Sequence, residues 1–152
     1  MSNVLVIFQA NTEHTEQLAL AVGVGAVESE ANIRLRRLVG AGAVEVGHKG
    51  YGTLKEADLV WADTIVVGLE DAQPKQELDG LLSALTAADK SSFPQKRAWT
   101  FGAGGAAATT EAQSYVEAAF QAAGVVVLPA LVPDSEDAME RMKETGRQLG
   151  RG

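Results

Sequence analysis

The sequence predicts a three-layer α/β sandwich, a five-stranded parallel sheet covered by helices on both faces. Two observations predict it. The runs Val4-Leu5-Val6-Ile7-Phe8 and Thr64-Ile65-Val66-Val67-Gly68 are of strand length and apolar without alternation, as strands buried on both faces are. Segments with apolar residues at helical spacing alternate with the strands, and right-handed crossovers then require the strands to be parallel. At 152 residues the chain has room for one full core, and residues 1–152 are read as a single domain.

The elements follow in order. After the first strand a short polar turn, Gln9-Ala10-Asn11-Thr12, leads into a helix from Glu13 to about Glu28. Leu18, Ala19, Val22 and Ala26 lie on one face of it, and Glu13 and Glu16 stand in the first turn, where the helix dipole favours carboxylates. Gly23 and Gly25 interrupt this helix; each costs roughly 1 kcal/mol relative to Ala, so the pair serves close packing on the sheet or marks early fraying. Ile33 to Val39 is the second strand, and Gly40 to Gly52 a long irregular connection carrying His48, Lys49 and Tyr51. A short helix from Leu54 to Trp61 precedes the third strand at Thr64 to Gly68. A helix opening near Pro74 runs to about Ala88 with Leu78, Leu81, Leu82 and Leu85 on one face. Arg97 to Phe101 is the fourth strand, followed by Gly102-Ala103-Gly104-Gly105 and a helix from about Thr109 to Ala123 with Tyr115, Val116, Ala119 and Phe120 inward. Val125 to Leu128 and a helix from Ser135 to Leu149 complete the series. Trp61 and Trp99 read as core residues beside strands.

Apolar residues make up 46% and charged residues 22%, with no run of eighteen apolar residues and no basic-then-apolar leader at Met1, so a soluble cytoplasmic protein is expected. The absence of cysteine excludes disulfides, thiolate metal sites and a cysteine nucleophile, so redox chemistry needs a bound cofactor. A net charge of −7 argues against nucleic acid as a partner. The one close group of cations, Arg34, Arg36 and Arg37, has Ile33 and Leu35 interleaved and reads as the wet face of an edge strand.

In a doubly wound sheet the ligand sits beyond the carboxyl ends of the strands, where the strand order reverses. Three loops arrive there, Gln9 to Thr15, Leu69 to Gln73, and Gly102 to Ala108. The first places unpaired helix N–H groups at the end of a parallel strand, a position that suits a phosphate.

Val4 to Phe8 followed by His14-Thr15-Glu16 and Leu18-Ala19, the strand Ala62 to Gly68, the run Gly104-Gly105 with Thr109 and Thr110, and Gly124 to Pro129 together resemble the flavodoxins. They are most similar to the flavodoxin-like NAD(P)H:quinone reductases of the WrbA type, over nearly the whole chain. The resemblance implies a sheet of order 2-1-3-4-5 and an FMN cofactor held at the three loops. Its binding residues would be Ala10, Asn11, Thr12, Glu13, His14 and Thr15 around the phosphate. Around the ring would lie Leu69, Glu70, Asp71, Ala72 and Gln73, together with Gly102, Ala103, Gly104 and Gly105. The reductases pass electrons from NAD(P)H to a quinone, and the flavodoxins to a redox protein.

Two residues depart from the family's pattern. Ala10 lacks the hydroxyl found at the start of the phosphate loop, and Glu13 replaces a glycine that lets the backbone approach the phosphate. A carboxylate about 5 Å from a phosphate, at an effective dielectric near 20, costs roughly 3 kcal/mol per unit charge, or about two decades in affinity. Thr12 and Thr15 keep hydroxyls that can donate to phosphate oxygens. The alternative is that Glu13 caps its helix itself, that no phosphate binds, and that the chain is a non-enzymatic descendant of the fold used to bind another protein.

The second loop carries no aromatic residue to stack on a flavin and lacks the Pro-Thr-Arg-Phe-Gly-like run of the reductases. Glu70 and Asp71 disfavour an anionic reduced flavin and repel a nicotinamide phosphate, although acidic loops of this kind suit an electron carrier with basic partners. The third loop offers glycine N–H groups, but Gly102-x-Gly104-Gly105 is not the dinucleotide fingerprint. His14 either hydrogen-bonds a ligand phosphate or is a solvated first-turn residue, and His48 reads as solvated. No cluster of metal ligands at coordinating spacing is present, and Ser83 and Ser114 lie mid-helix without a nucleophile-elbow motif. Tyr51 is the one loop aromatic proposed for stacking on a flat ligand.

Overall fold

The computed structural model describes residues 2–9, 13–38, 52–69, 75–102, 106–128 and 138–150. Its elements are β1 (Asn3–Gln9), α1 (Glu13–Glu28), β2 (Asn32–Leu38), β3 (Gly52–Thr53), α2 (Glu56–Trp61), β4 (Thr64–Leu69), α3 (Lys75–Ala87), β5 (Arg97–Gly102), α4 (Ala106–Ala122), β6 (Val126–Val127) and α5 (Ala138–Gly150). A 3-10 turn, Phe93–Gln95, precedes β5. The strands form one parallel sheet in the order β3-β2-β1-β4-β5-β6. The five expected strands are all there and in the expected order. To them is added β3, a two-residue strand paired with Arg36 and Arg37 on the outer side of β2.

Two apolar layers flank the sheet. On one face Leu5, Ile7, Ile65, Val67 and Ala98 meet Leu59, Leu81, Leu85, Val116 and Phe120 of α2, α3 and α4. On the other, Val4, Val6, Phe8, Val66, Trp99 and Phe101 meet Leu18, Val22 and Ala26 of α1 and Met142 and Leu149 of α5. Both central strands are buried on both faces, as their unbroken apolar runs require.

The α1–α5 contact explains the helical glycines. A Cβ on Gly23 would meet Ile33 Cδ1 at 3.4 Å and Leu35 Cδ2 at 3.8 Å, both side chains of β2, so this residue packs towards the sheet as expected. Gly25 does something else. A Cβ there would overlap the Lys143 carbonyl oxygen and lie 2.8 Å from its carbonyl carbon, and a Cβ on Gly146 would overlap the Val22 carbonyl. The two helices therefore cross backbone to backbone, with α1 continuous to Glu28 and no fraying. Arg147 seals the lower end, its Nε 2.7 Å from Glu28 Oε1, while the Ser29 hydroxyl donates to the Arg147 carbonyl at 2.9 Å.

Four further readings change. Tyr115 is 41% exposed although Val116 and Phe120 beside it are buried, because the inward arc of α4 passes through Ala112, Gln113, Val116 and Phe120 and leaves position 115 outside it. The helix itself begins three residues earlier than expected, at Ala106. Arg34 and Arg36 are not simply solvated: Arg34 Nη1 and Arg36 Nε each lie 3.0 Å from a carboxylate oxygen of Asp58, and Arg34 stacks 4.2 Å over the Trp61 ring. Trp61 is half-buried beneath that guanidinium, whereas Trp99 is buried as expected.

Asp58 also accepts the Lys55 N–H at 3.0 Å, closing the first turn of α2. Burial pushes the Asp58 carboxyl up, but the Lys55 amide and the two guanidinium groups outweigh it and hold the pKa below the ordinary carboxylate value. The other end of α2 is held by Lys96, whose Nζ donates to the carbonyls of Val60 and Ala62, and whose burial lowers its pKa against the raising influence of Asp63. Among the described residues no helix is long and apolar enough to cross a membrane.

Candidate functional site

The site is built by three adjacent strand ends. Phe8, Gly68 and Phe101 stand side by side in the register, so Gln9, Leu69 and Gly102 are the next residues up on β1, β4 and β5. At an interstrand spacing of about 4.8 Å the three exits span roughly 10 Å. The chain leaves β1 for β2 on one side and β4 lies on the other, so this is the point where the strand order reverses.

Side chains beneath the exits fix their level. Gly68 has no side chain because the Phe101 ring occupies its place: a Cβ there would lie 2.5 Å from Phe101 Cζ. Phe101 in turn packs on Trp99, with ring centroids 5.6 Å apart. Gln9, Thr100 and Gln113 are buried polar residues on the α3–α4 side, and the Thr100 hydroxyl donates to Glu117 Oε1 at 3.3 Å. The sequence reading passed over Gln113 and Glu117. Polar residues facing an otherwise apolar helix contact are the signal that would have found them.

Of the first-loop candidates, Ala10, Asn11 and Thr12 lie outside the described residues, and Glu13 and His14 are described as the opening of α1 but not in their side chains. Thr15 is fully buried in the first turn of α1. Glu70, Asp71, Ala72 and Gln73 of the second loop and Ala103, Gly104 and Gly105 of the third also lie outside, whereas Leu69 and Gly102 are the buried last residues of β4 and β5. His48, Lys49 and Tyr51, with residues 39–51 as a whole, lie outside as well. The neighbour of Tyr51, Gly52, pairs with Arg36 at the far edge of the sheet, two strands from β1.

The donor set suits a phosphate ester joined to a flat polar ring. A buried threonine, Thr15, and the amino-terminal turn of α1 stand at the end of β1. Two further strand exits lie beside it within the breadth of such a ring. Glu13, the first residue of α1, carries a negative charge that would oppose a phosphate there.

This architecture recurs in solved structures. Oxidised Flavodoxin 1 from Bacillus cereus superposes with a TM-score of 0.73 at 20% identity, over 97% of each chain. The chain has the flavodoxin-like fold. Diflavin flavoprotein A3 from Nostoc sp. matches it at a TM-score of 0.71 and 18% identity over 99% of this chain and 92% of that one. The flavodoxin-like domain of a Synechococcus sp. protein matches at 0.68 and 22%, over 97% and 96%. No protein-family model matches the sequence, and neither does any curated protein.

Proposed function

We propose that this flavodoxin-like chain binds FMN at the three strand exits and acts in electron transfer. The observation that carries the reading is the convergence of Gln9, Leu69 and Gly102 at the reversal of strand order, with Thr15 buried in the first turn of α1. Thr12 and Thr15 would hold the phosphate and the second and third loops the ring, and the bound FMN would supply the electron-accepting group that a chain without cysteine lacks. The solved neighbours of this fold include flavodoxins and a diflavin flavoprotein, which supports the reading. The finer assignment, reduction of a quinone by NAD(P)H, rests on the resemblance of His14-Thr15-Glu16 and its flanks to the reductases. Glu70 and Asp71 favour instead a basic redox protein as the partner.

The test is the visible spectrum of the purified protein before and after incubation with FMN and desalting. A retained flavin spectrum is expected, and NAD(P)H consumption with a soluble quinone then separates reductase from carrier. Glu13→Gly should tighten FMN binding by about one to two decades; no change would place the phosphate elsewhere.

A second reading is favoured by Ala10 and Glu13 themselves, which remove a donor and add a charge where a phosphate would sit. In it the fold has lost FMN and serves as a protein-binding module. A colourless protein whose melting temperature excess FMN leaves unmoved would support it, because any ligand of the native state raises stability by mass action.

A further inference from the structure

We draw no further inference here: the strongest candidate, the apolar groove between α1 and β2 lined by Leu20, Gly23, Val24, Val27, Ile33 and Leu35, is an unpartnered face, and nothing among the described residues shows what covers it.

Discussion

Replacing Gly25 by alanine should destabilise the protein even though alanine is the better helix former. The new methyl group would lie 2.8 Å from the Lys143 carbonyl carbon and 3.0 Å from the Arg147 nitrogen. Carbon atoms in good contact stand about 3.5–4.0 Å apart, so α1 and α5 must part by roughly 1 Å. A gap of that size forfeits about a quarter to a half of the dispersion between the surfaces it opens, here those of Val22, Ala26, Met142 and Leu149. Overpacking of this kind costs about 1–3 kcal/mol, and the upper end applies because the obstacle is backbone, which cannot rotate away as a side chain can. Alanine returns about 1 kcal/mol of helix propensity, which leaves a net loss of about 2 kcal/mol. In a domain of this size that is a fall in Tm of roughly 4–8 °C. Gly23→Ala is the control. Its methyl group would meet Ile33 Cδ1 at 3.4 Å and Leu35 Cδ2 at 3.8 Å, the ends of two side chains, so the propensity gain of up to about 1 kcal/mol should survive and Tm should rise. Calorimetry of the two variants beside wild type reads both numbers. A Gly25→Ala protein as stable as wild type would show that the helices do not cross backbone to backbone.

Two other substitutions read the two sides of the sheet. Asp58→Asn should lower the stability at neutral pH by about 2 kcal/mol in urea titrations, because it leaves Arg34 and Arg36 facing a neutral amide. The pKa of Asp58 is lowered in the folded state, so its contribution is complete above an unfolded value near 3.9 and is lost as pH falls through the folded one. The gap between wild type and Asp58→Asn should therefore close in acid, and a gap independent of pH would refute the charge argument. Gly68→Ala should cost about 1–3 kcal/mol because its Cβ meets the Phe101 ring at 2.5 Å. Adding Phe101→Leu should recover part of that loss, and strictly additive effects in the urea midpoint would show that the two residues do not share the space.

What the sequence disclosed and what it hid divide along a physical line. β1 and β4 were legible because a strand buried on both faces must be apolar throughout, and such runs are visible without knowing what covers them. Gly52–Thr53 carries no pattern at all; it is a strand only because Arg36 and Arg37 offer it an edge. Alternation in β2 told which arginines share a face, but not that Asp58, 22 residues beyond Arg36, would be carried onto that face by α2. The glycines of α1 announced close packing, while the identity of the packed surface, α5 rather than the sheet for Gly25, depends on an element more than a hundred residues later. At the site itself, the strand exits and the burial of Thr15 follow from topology. The chemistry of the loops is local, and pattern reasoning reached it only through the resemblance.

The end of the sheet opposite the strand exits carries its own hydrogen bonds, and this bears on how far the fold informs the site. The amino-terminal rim of the strands is closely hydrogen-bonded. Asp63 and Asn3 bond reciprocally, with the Asn3 N–H 2.9 Å from Asp63 Oδ2 and the Asp63 N–H 2.8 Å from the Asn3 carbonyl. The Arg97 N–H reaches the Asp63 carbonyl at 3.1 Å, and Lys96 caps the end of α2 beside them. The carboxyl-terminal rim instead gives rise to the three loops, whose starting points are set by Gln9, Leu69 and Gly102 whatever residues follow. The bonds of the amino-terminal rim involve neither Ala10 nor Glu13 and do not depend on which residues stand at those positions. Structural likeness below 25% identity reports the fold and not the chemistry of the loops. Whether the opposite rim takes a phosphate is a separate question, and FMN titration of wild type beside Glu13→Gly tests it.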